Sequence, residues 1–522
     1  MPDTDSNTPL LSDRRQPECD AVAEVPPVAE PRTSFKRNLG TAEAFSIIIS
    51  IVIGSGIFTS PGSIDTNVPS PGFALIVWLV GGVLAWTGAA TMAELGTAIP
   101  GEGGVQPYLQ YIFGDVFGFL AAWTWIVAVI PASLAIMSIV FVESVYSAIG
   151  ENNRTQGTLH KVLSILVLII FSMANGISTK ATNRLNRFFV SAKFTAIVAT
   201  VVAGIAVVLY HLAGHGTNKQ SQDWWTKSWF GNRTSVGPDG SEIDWSKLHG
   251  WEMLGHYSAA LYGALWAYSG WDKAIYITAE LSAPARQLPL AINTAIPIIV
   301  SGFIAVNTAY YVLLPWDVVS TTDSVAVTAF NHLLGPGVGL VAAVLICLVV
   351  AGSLLGSAFV GSRMIVAASN KNWLPRFLGQ VGYMGLQPDS DTDTDTDSND
   401  SSSTDSDAPL NALIFSAACS ALYIIFGNFR ALVTFNGLGE YSFFFLTMVG
   451  AIVLRIREPK LHRPYKPVIL IPAVFTLVSG FVVARGAVFA PFQAAVLIAV
   501  WGLGLVFYWA RRRWLGRADS SG

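Results

Sequence analysis

IGSGIF, residues 53–58, interrupts one long apolar run, and WAYSGW, residues 266–271, interrupts another. Glycine and serine are poor helix formers. In the middle of a span they predict a break that leaves backbone N–H and C=O groups unpaired. In lipid this is tolerated only around a cavity or a ligand. A half-helix starting after a break presents free N–H groups and a positive dipole end. One ending before it presents free carbonyls and a negative end. Together they fit a zwitterion, with the carboxylate on the N–H groups and the ammonium on the carbonyls. Helix packing through small residues would explain either motif alone. The pair argues otherwise. Ser55-Gly56 and Ser269-Gly270 lie 214 residues apart, each in the first span of a five-span set. Five is odd, so the second set is inverted, and interrupted helices at matching positions point to a transport site.

Around these motifs the composition is that of a membrane protein. Of 522 residues, 52% are hydrophobic and 12% charged, against roughly 25% charged in soluble domains. The mean hydropathy is +0.51. This excludes a soluble enzyme and an extended disordered chain. A net charge of −3 offers no basic field for nucleic acid. Twelve apolar segments run at 43–65, 72–98, 116–148, 160–178, 187–213, 254–281, 289–315, 337–369, 410–427, 431–454, 466–486 and 489–510. Twelve helices of about 20 residues take roughly 240 residues, which leaves loops and tails but no large second domain. The runs are continuous rather than alternating, so they predict helices and not a barrel.

Residues 1–38 read as a disordered cytosolic tail. No signal-peptide pattern precedes the first span. Spans 1–5 occupy 39–213, an outside loop 214–253, spans 6–10 254–455, spans 11–12 456–512, and a cytosolic tail 513–522. With both termini cytosolic, about 20 of the 31 lysines and arginines fall inside, as the positive-inside rule requires. Asn153 and Asn232 begin Asn-x-Thr sequons in predicted outside loops and are glycosylation candidates. The loop at 214–253 carries Trp224, Trp225, Trp229, Trp245 and Trp251 and reads as a cap on the membrane interface. The run DSDTDTDTDSNDSSSTDSD, 389–407, reads as a solvated cytosolic insertion. Histidine spacing suggests no metal, and GEGG (101–104) lacks the strand that precedes a phosphate loop. Neither an enzyme activity nor a cofactor is expected. Cys19, Cys347 and Cys419 form no disulfide framework.

The motifs, in this order and spacing, resemble the amino acid–polyamine–organocation superfamily, its L-type amino acid transporter branch and the methionine-permease-like members of fungi. The resemblance spans roughly 40–510. IGSGIF is followed by Thr59, Ser60 and Pro61. AELGTAIPGEGGVQPYLQYIFG (93–114), SAKF (191–194), WAYSGWD and TAELSAPARQLPLAI (278–292) follow, with GSRMIVAASNKNWLP (361–375) and LRIREPKLHRPYKP (454–467). The resemblance implies an all-α, LeuT-type fold of twelve spans, five plus five inverted with broken spans 1 and 6. It implies alternating-access uptake of a neutral L-amino acid, methionine or another large one, at the plasma membrane. Ser55 and Gly56 would hold the substrate carboxylate. Val52, Trp266, Ala267 and Ser269 would offer carbonyls to its ammonium, with Trp266 as an aromatic gate. Ser269 stands where the family usually has glycine. The loop 149–159 lacks the cysteine by which animal members bind a single-span glycoprotein, so no disulfide-linked partner is expected. The alternatives are an amino-acid sensor that signals through its tails, or a carrier of polyamines or other amines. A channel would need a continuous polar stripe, which the spans lack.

Four charges within spans carry further expectations. Lys193 is mid-span, at a cost of about 2.5–3.5 kcal/mol. The resemblance places its ammonium where relatives hold sodium, beside the first break; a lysine snorkelling to the interface is the alternative. Asp272 follows the second break and is a coupling candidate. Glu94 and Arg363 are candidates for a cytosolic gate, with loop arginines as other partners for Glu94.

Overall fold

The structure is a computed structural model that describes residues 40–99, 104–149, 157–177, 179–215, 223–237, 240–273, 275, 281–380 and 409–520. The N-terminal tail, Cys19, Asn153 and the acidic run 389–407 lie outside the described residues.

The described chain is helical, with one small hairpin. The helices are α1 (Thr41–Val52), α2 (Gly56–Thr66), α3 (Pro71–Ala98), α4 (Val105–Phe113), α5 (Asp115–Thr124), α6 (Ile130–Ala148), α7 (Thr158–Ile177), α8 (Thr179–Tyr210), α9 (Asp223–Thr226), α10 (Gly250–Ala267), α11 (Pro284–Leu313), α12 (Trp316–Val319), α13 (Val325–Leu334), α14 (Pro336–Asn370), α15 (Leu410–Phe426), α16 (Phe429–Arg457), α17 (Leu470–Phe489) and α18 (Pro491–Ser520). A π-turn at Trp125–Val129 joins α5 to α6. β1 (Ser235–Val236) pairs antiparallel with β2 (Glu242–Ile243).

Among the described residues, nine helical segments are long and apolar enough to cross a membrane, and the α1–α2 pair, bent by 46°, makes a tenth. The other two expected segments hold α10, which ends at the second break, and α15, at 17 residues. The bend has a local cause. α1 ends at Val52, the Gly54 N–H turns back to the Val52 carbonyl at 2.8 Å, and α2 restarts at Gly56.

Two short helices were not foreseen. α4 turns into α5 at Gly114, φ +96°, and α13 turns into α14 at Gly335, φ +86°. Only glycine takes this backbone without strain. One corner lies between α3 and α6, the other between α11 and α14. Packing of α3 on α11, α6 on α14 and α16 on α17 encloses one continuous apolar core.

The tryptophan-rich loop differs from the expected interfacial cap. Trp225 and Trp251 are exposed, but Trp245 is buried and its indole N–H bonds Ser235 Oγ at 2.9 Å. Trp229 packs edge-on against Trp316 at 5.4 Å. The loop is anchored to the helix ends by the Gly72 N–H donating to the Trp229 carbonyl at 2.8 Å and the Arg233 N–H to the Pro69 carbonyl at 3.1 Å. Trp229 and Trp245 therefore bury area against protein, while Trp225 and Trp251 remain exposed.

Candidate functional site

The two breaks meet. A Cβ on Gly56 would lie 2.5 Å from Ala267 Cα, so only hydrogen fits there. Gly270, φ +106°, reaches the other way: its Cβ would stand 3.0 Å from Ile51 Cγ2 and 3.2 Å from the Ile51 carbonyl oxygen. The broken spans thus cross in reciprocal backbone contact. Backbone approach to Ala267 gives Gly56 a reason beyond any approach to a ligand.

Beside the crossing lies a cavity of about 950 Å³. Ser55, Gly56, Trp266, Ala267 and Ser269 line it. Val52 does not: it is buried behind the wall, and its carbonyl accepts the Gly54 N–H, while Ile51 and Gly54 form the surface. The half-turn Ile53–Ser55 shifts the lining by one residue from the expected one. The N–H groups at the start of α2 lack acceptors one turn back within the helix; the Phe58 N–H donates to the Ser55 carbonyl at 3.0 Å, and the Ser55 side chain caps none of them. The Trp266 carbonyl accepts the Ser269 N–H at 3.1 Å, and the Trp266 indole N–H has no acceptor. The facing wall on α14 is built of small residues, Gly352, Ser353, Gly356 and Ser357; a Cβ on Gly356 would meet no atom within 4 Å.

The charges on the wall share one sign. Lys193, 7% exposed, lies on the cavity rather than towards lipid, and Lys273, Arg363 and Lys371 also line it. Among the described residues, the lining contains no Asp or Glu. Asp272 is buried just behind Lys273. Glu94 is not on the wall and does not meet Arg363. It pairs with Arg455, whose Nε donates to Glu94 Oε1 at 2.9 Å, and with Arg463 at 3.3 Å. The Arg363 guanidinium instead lies 3.3 Å over the Phe359 ring. The reason is position: α16 ends beside Glu94 and delivers Arg455 directly, whereas Arg363 faces the cavity from α14.

The two ends of the cavity differ. Towards the hairpin, Asp65 on α2 is fully buried, pairs with Arg233 and accepts the Tyr311 hydroxyl at 2.5 Å. Arg430 at the start of α16 binds Asp323 Oδ1 through Nε (2.9 Å) and Nη2 (2.8 Å), and donates to Thr66 Oγ1 at 2.6 Å. Sequence reading missed both ion pairs, since their partners lie far apart in the chain. Towards the other end the lining continues through Arg363 and Met364 to exposed Lys371 and Trp373. Asn232 is exposed beside the hairpin.

Apolar spans whose two breaks cross beside a cavity edged with serines and lysines define a multi-pass membrane carrier. Residues 39–509 match the amino acid permease family, and the chain belongs to that family, within the L-type branch of its superfamily. It is 30% identical to the b(0,+)-type amino acid transporter 1 of Homo sapiens over 481 residues, 92% of this chain and 89% of that one. It is 28% identical to the Asc-type amino acid transporter 1 of Mus musculus over 472 residues, 90% and 80% of the two chains. Identity to the cystine/glutamate transporter of Homo sapiens is 26% over 483 residues, 92% and 87%.

Proposed function

We propose that this permease moves a neutral L-amino acid with a large side chain, methionine first, by alternating access through twelve spans. The observation that carries this reading is the cavity at the crossed breaks, lined by the start of α2 and by Trp266, with no carboxylate on the wall among the described residues. A zwitterion finds donors there. A polyamine or cationic side chain meets the like charges of Lys193 and Lys273. The gap over Gly356 gives a long side chain room. The matching corners at Gly114 and Gly335 support a five-plus-five inverted repeat, with α10 and α15 in the sixth and ninth spans.

In this reading Lys193 supplies a fixed charge beside the first break and sodium is not required. The end near Lys371 is cytosolic, as are both termini, and the protein works at the plasma membrane without a disulfide-linked partner, since 149–159 holds no cysteine. Transport rather than sensing is tested by uptake. Radiolabelled methionine, leucine, lysine and spermidine are offered to a transport-deficient cell expressing the chain. Methionine or leucine entry independent of sodium is expected. Preferred entry of lysine or spermidine overturns the assignment, and binding without entry favours a sensor. Gly356→Leu should favour small over large neutral substrates.

A further inference from the structure

Resting on the permease reading, we propose that Glu440 and Asp272 form a two-carboxylate site that carries one proton with each substrate. Glu440 lies on α16 at 6% exposure, and Asp272 follows the second break at 5%. Asp272 Oδ1 is buried with no hydrogen-bond partner. Glu440 Oε2 receives only a long contact from Asn436 Nδ2, at 3.5 Å.

The groups around the pair can be counted. Trp271, the residue before Asp272, packs its ring on Phe444 of α16 at 4.7 Å, which sets Asp272 against the turn of α16 that bears Glu440, and Lys273 is the cation next to both among the described residues. Tyr441 also faces them, and its hydroxyl accepts the Trp271 indole N–H at 3.3 Å. Lys193 lies with Lys273 on the cavity wall. Two carboxylates therefore share one ammonium away from water. Ionising both leaves an uncompensated buried negative charge, which is costly. One proton held between them removes that charge, and such a pair titrates as a unit.

The pair reaches the cavity through two polar groups without lying on its wall. Asn436 Oδ1 accepts the Ser133 hydroxyl at 3.2 Å, and both Ser133 and Lys273 line the cavity. A substrate carboxylate entering the cavity competes with the acids for the Lys273 charge. It thereby makes a second negative charge behind Lys273 more costly, and the proton stays. When the substrate leaves, Lys273 returns to the acids and the proton departs towards the cavity. By linkage, substrate and proton each favour the binding of the other.

The test uses the purified full chain in proteoliposomes, with radiolabelled L-methionine or L-leucine as probe. Counterflow at equal pH reports substrate binding and conformational exchange. Accumulation driven by one pH unit, acid outside, reports coupling, with a limit of about tenfold for one proton per substrate. Wild type should show both. Glu440→Gln should keep counterflow and lose accumulation, and Asp272→Asn should also lose accumulation. Accumulation retained in both variants overturns the proposal. So does a wild type that exchanges without responding to the gradient, and so does loss of both activities in both variants, which assigns the pair to structure. Absence of counterflow in wild type strikes the permease reading itself.

Discussion

The hairpin end of the cavity is locked by opposite charges, and the other end is lined by like charges. Asp65 with Arg233 and Asp323 with Arg430 tie α2, the loop after α12 and the start of α16 into one plug. At the far end Arg363 and Lys371 share a sign and cannot pair. Glu94 does find arginines there, but it ties α3 to the end of α16 and the segment after it. On the proposed alternating-access reading, opening and closing are then unlike events: the hairpin end opens by breaking buried pairs, and the other end closes by moving helices or by drawing in an anionic segment.

Both ends depend on the crossing between them, so the largest effect is expected there. Gly56→Val should abolish uptake while the protein still reaches the membrane, because its Cβ falls on Ala267 Cα and backbone cannot yield. Uptake per molecule at the surface decides it. Gly56→Ala should already be severe, as the clash is with the first side-chain atom. Normal uptake by a well-inserted valine variant would mean that the spans do not pivot at this contact.

Lys193→Ala comes next. It removes a buried charge from a wall that α8 shares with α2 and α10. Severe loss of uptake is expected, with incomplete rescue by Lys193→Arg, whose planar fork does not replace a compact ammonium. Wild-type uptake should persist with sodium replaced by choline. A fully active alanine variant, or strict sodium dependence, would remove Lys193 from the site.

A partial effect is expected from Arg430→Ala, which strikes the locked end alone. Loss of one partner of a buried pair costs about 3–5 kcal/mol, and here it falls on the closed state. A cysteine at Ser63, buried on α2, should then label faster with an impermeant maleimide applied from the hairpin side. Uptake should fall without vanishing. Unchanged labelling would show that the Arg430 pair is structural and not a gate.

Sequence made the spans and their breaks legible because both are local: an apolar run sets a span, and Gly-Ser in mid-run stops a helix. The crossing partners were not legible. That Gly56 meets Ala267, and that Glu94 meets Arg455 rather than Arg363, follows from how helices hundreds of residues apart pack. The same holds for Asp65 with Arg233. Val52 was misplaced by one residue because the unwound turn Ile53–Ser55 has no helical period. Glu440 could have been found, since an acid inside the apolar run 431–454 is itself a functional signal in a membrane.

The smallest effect tests whether the open end borrows its counter-charge from the chain. The acidic run 389–407 carries eight aspartates and follows α14, whose end bears Lys371. It is the nearest anionic stretch in sequence to the basic mouth. Yet it holds almost no apolar side chain to offset the entropy of ordering it, and attraction between solvated charges is screened beyond about 8 Å at physiological salt. Deleting 389–407 should therefore leave initial uptake near wild type, per molecule at the surface, at low and at physiological ionic strength. A lock made of solvated charges would betray itself by salt: the deletion would change the rate at low salt and lose its effect as salt rises. That pattern would give the open end a charged gate after all, and the contrast between the two ends would become one of strength rather than of kind.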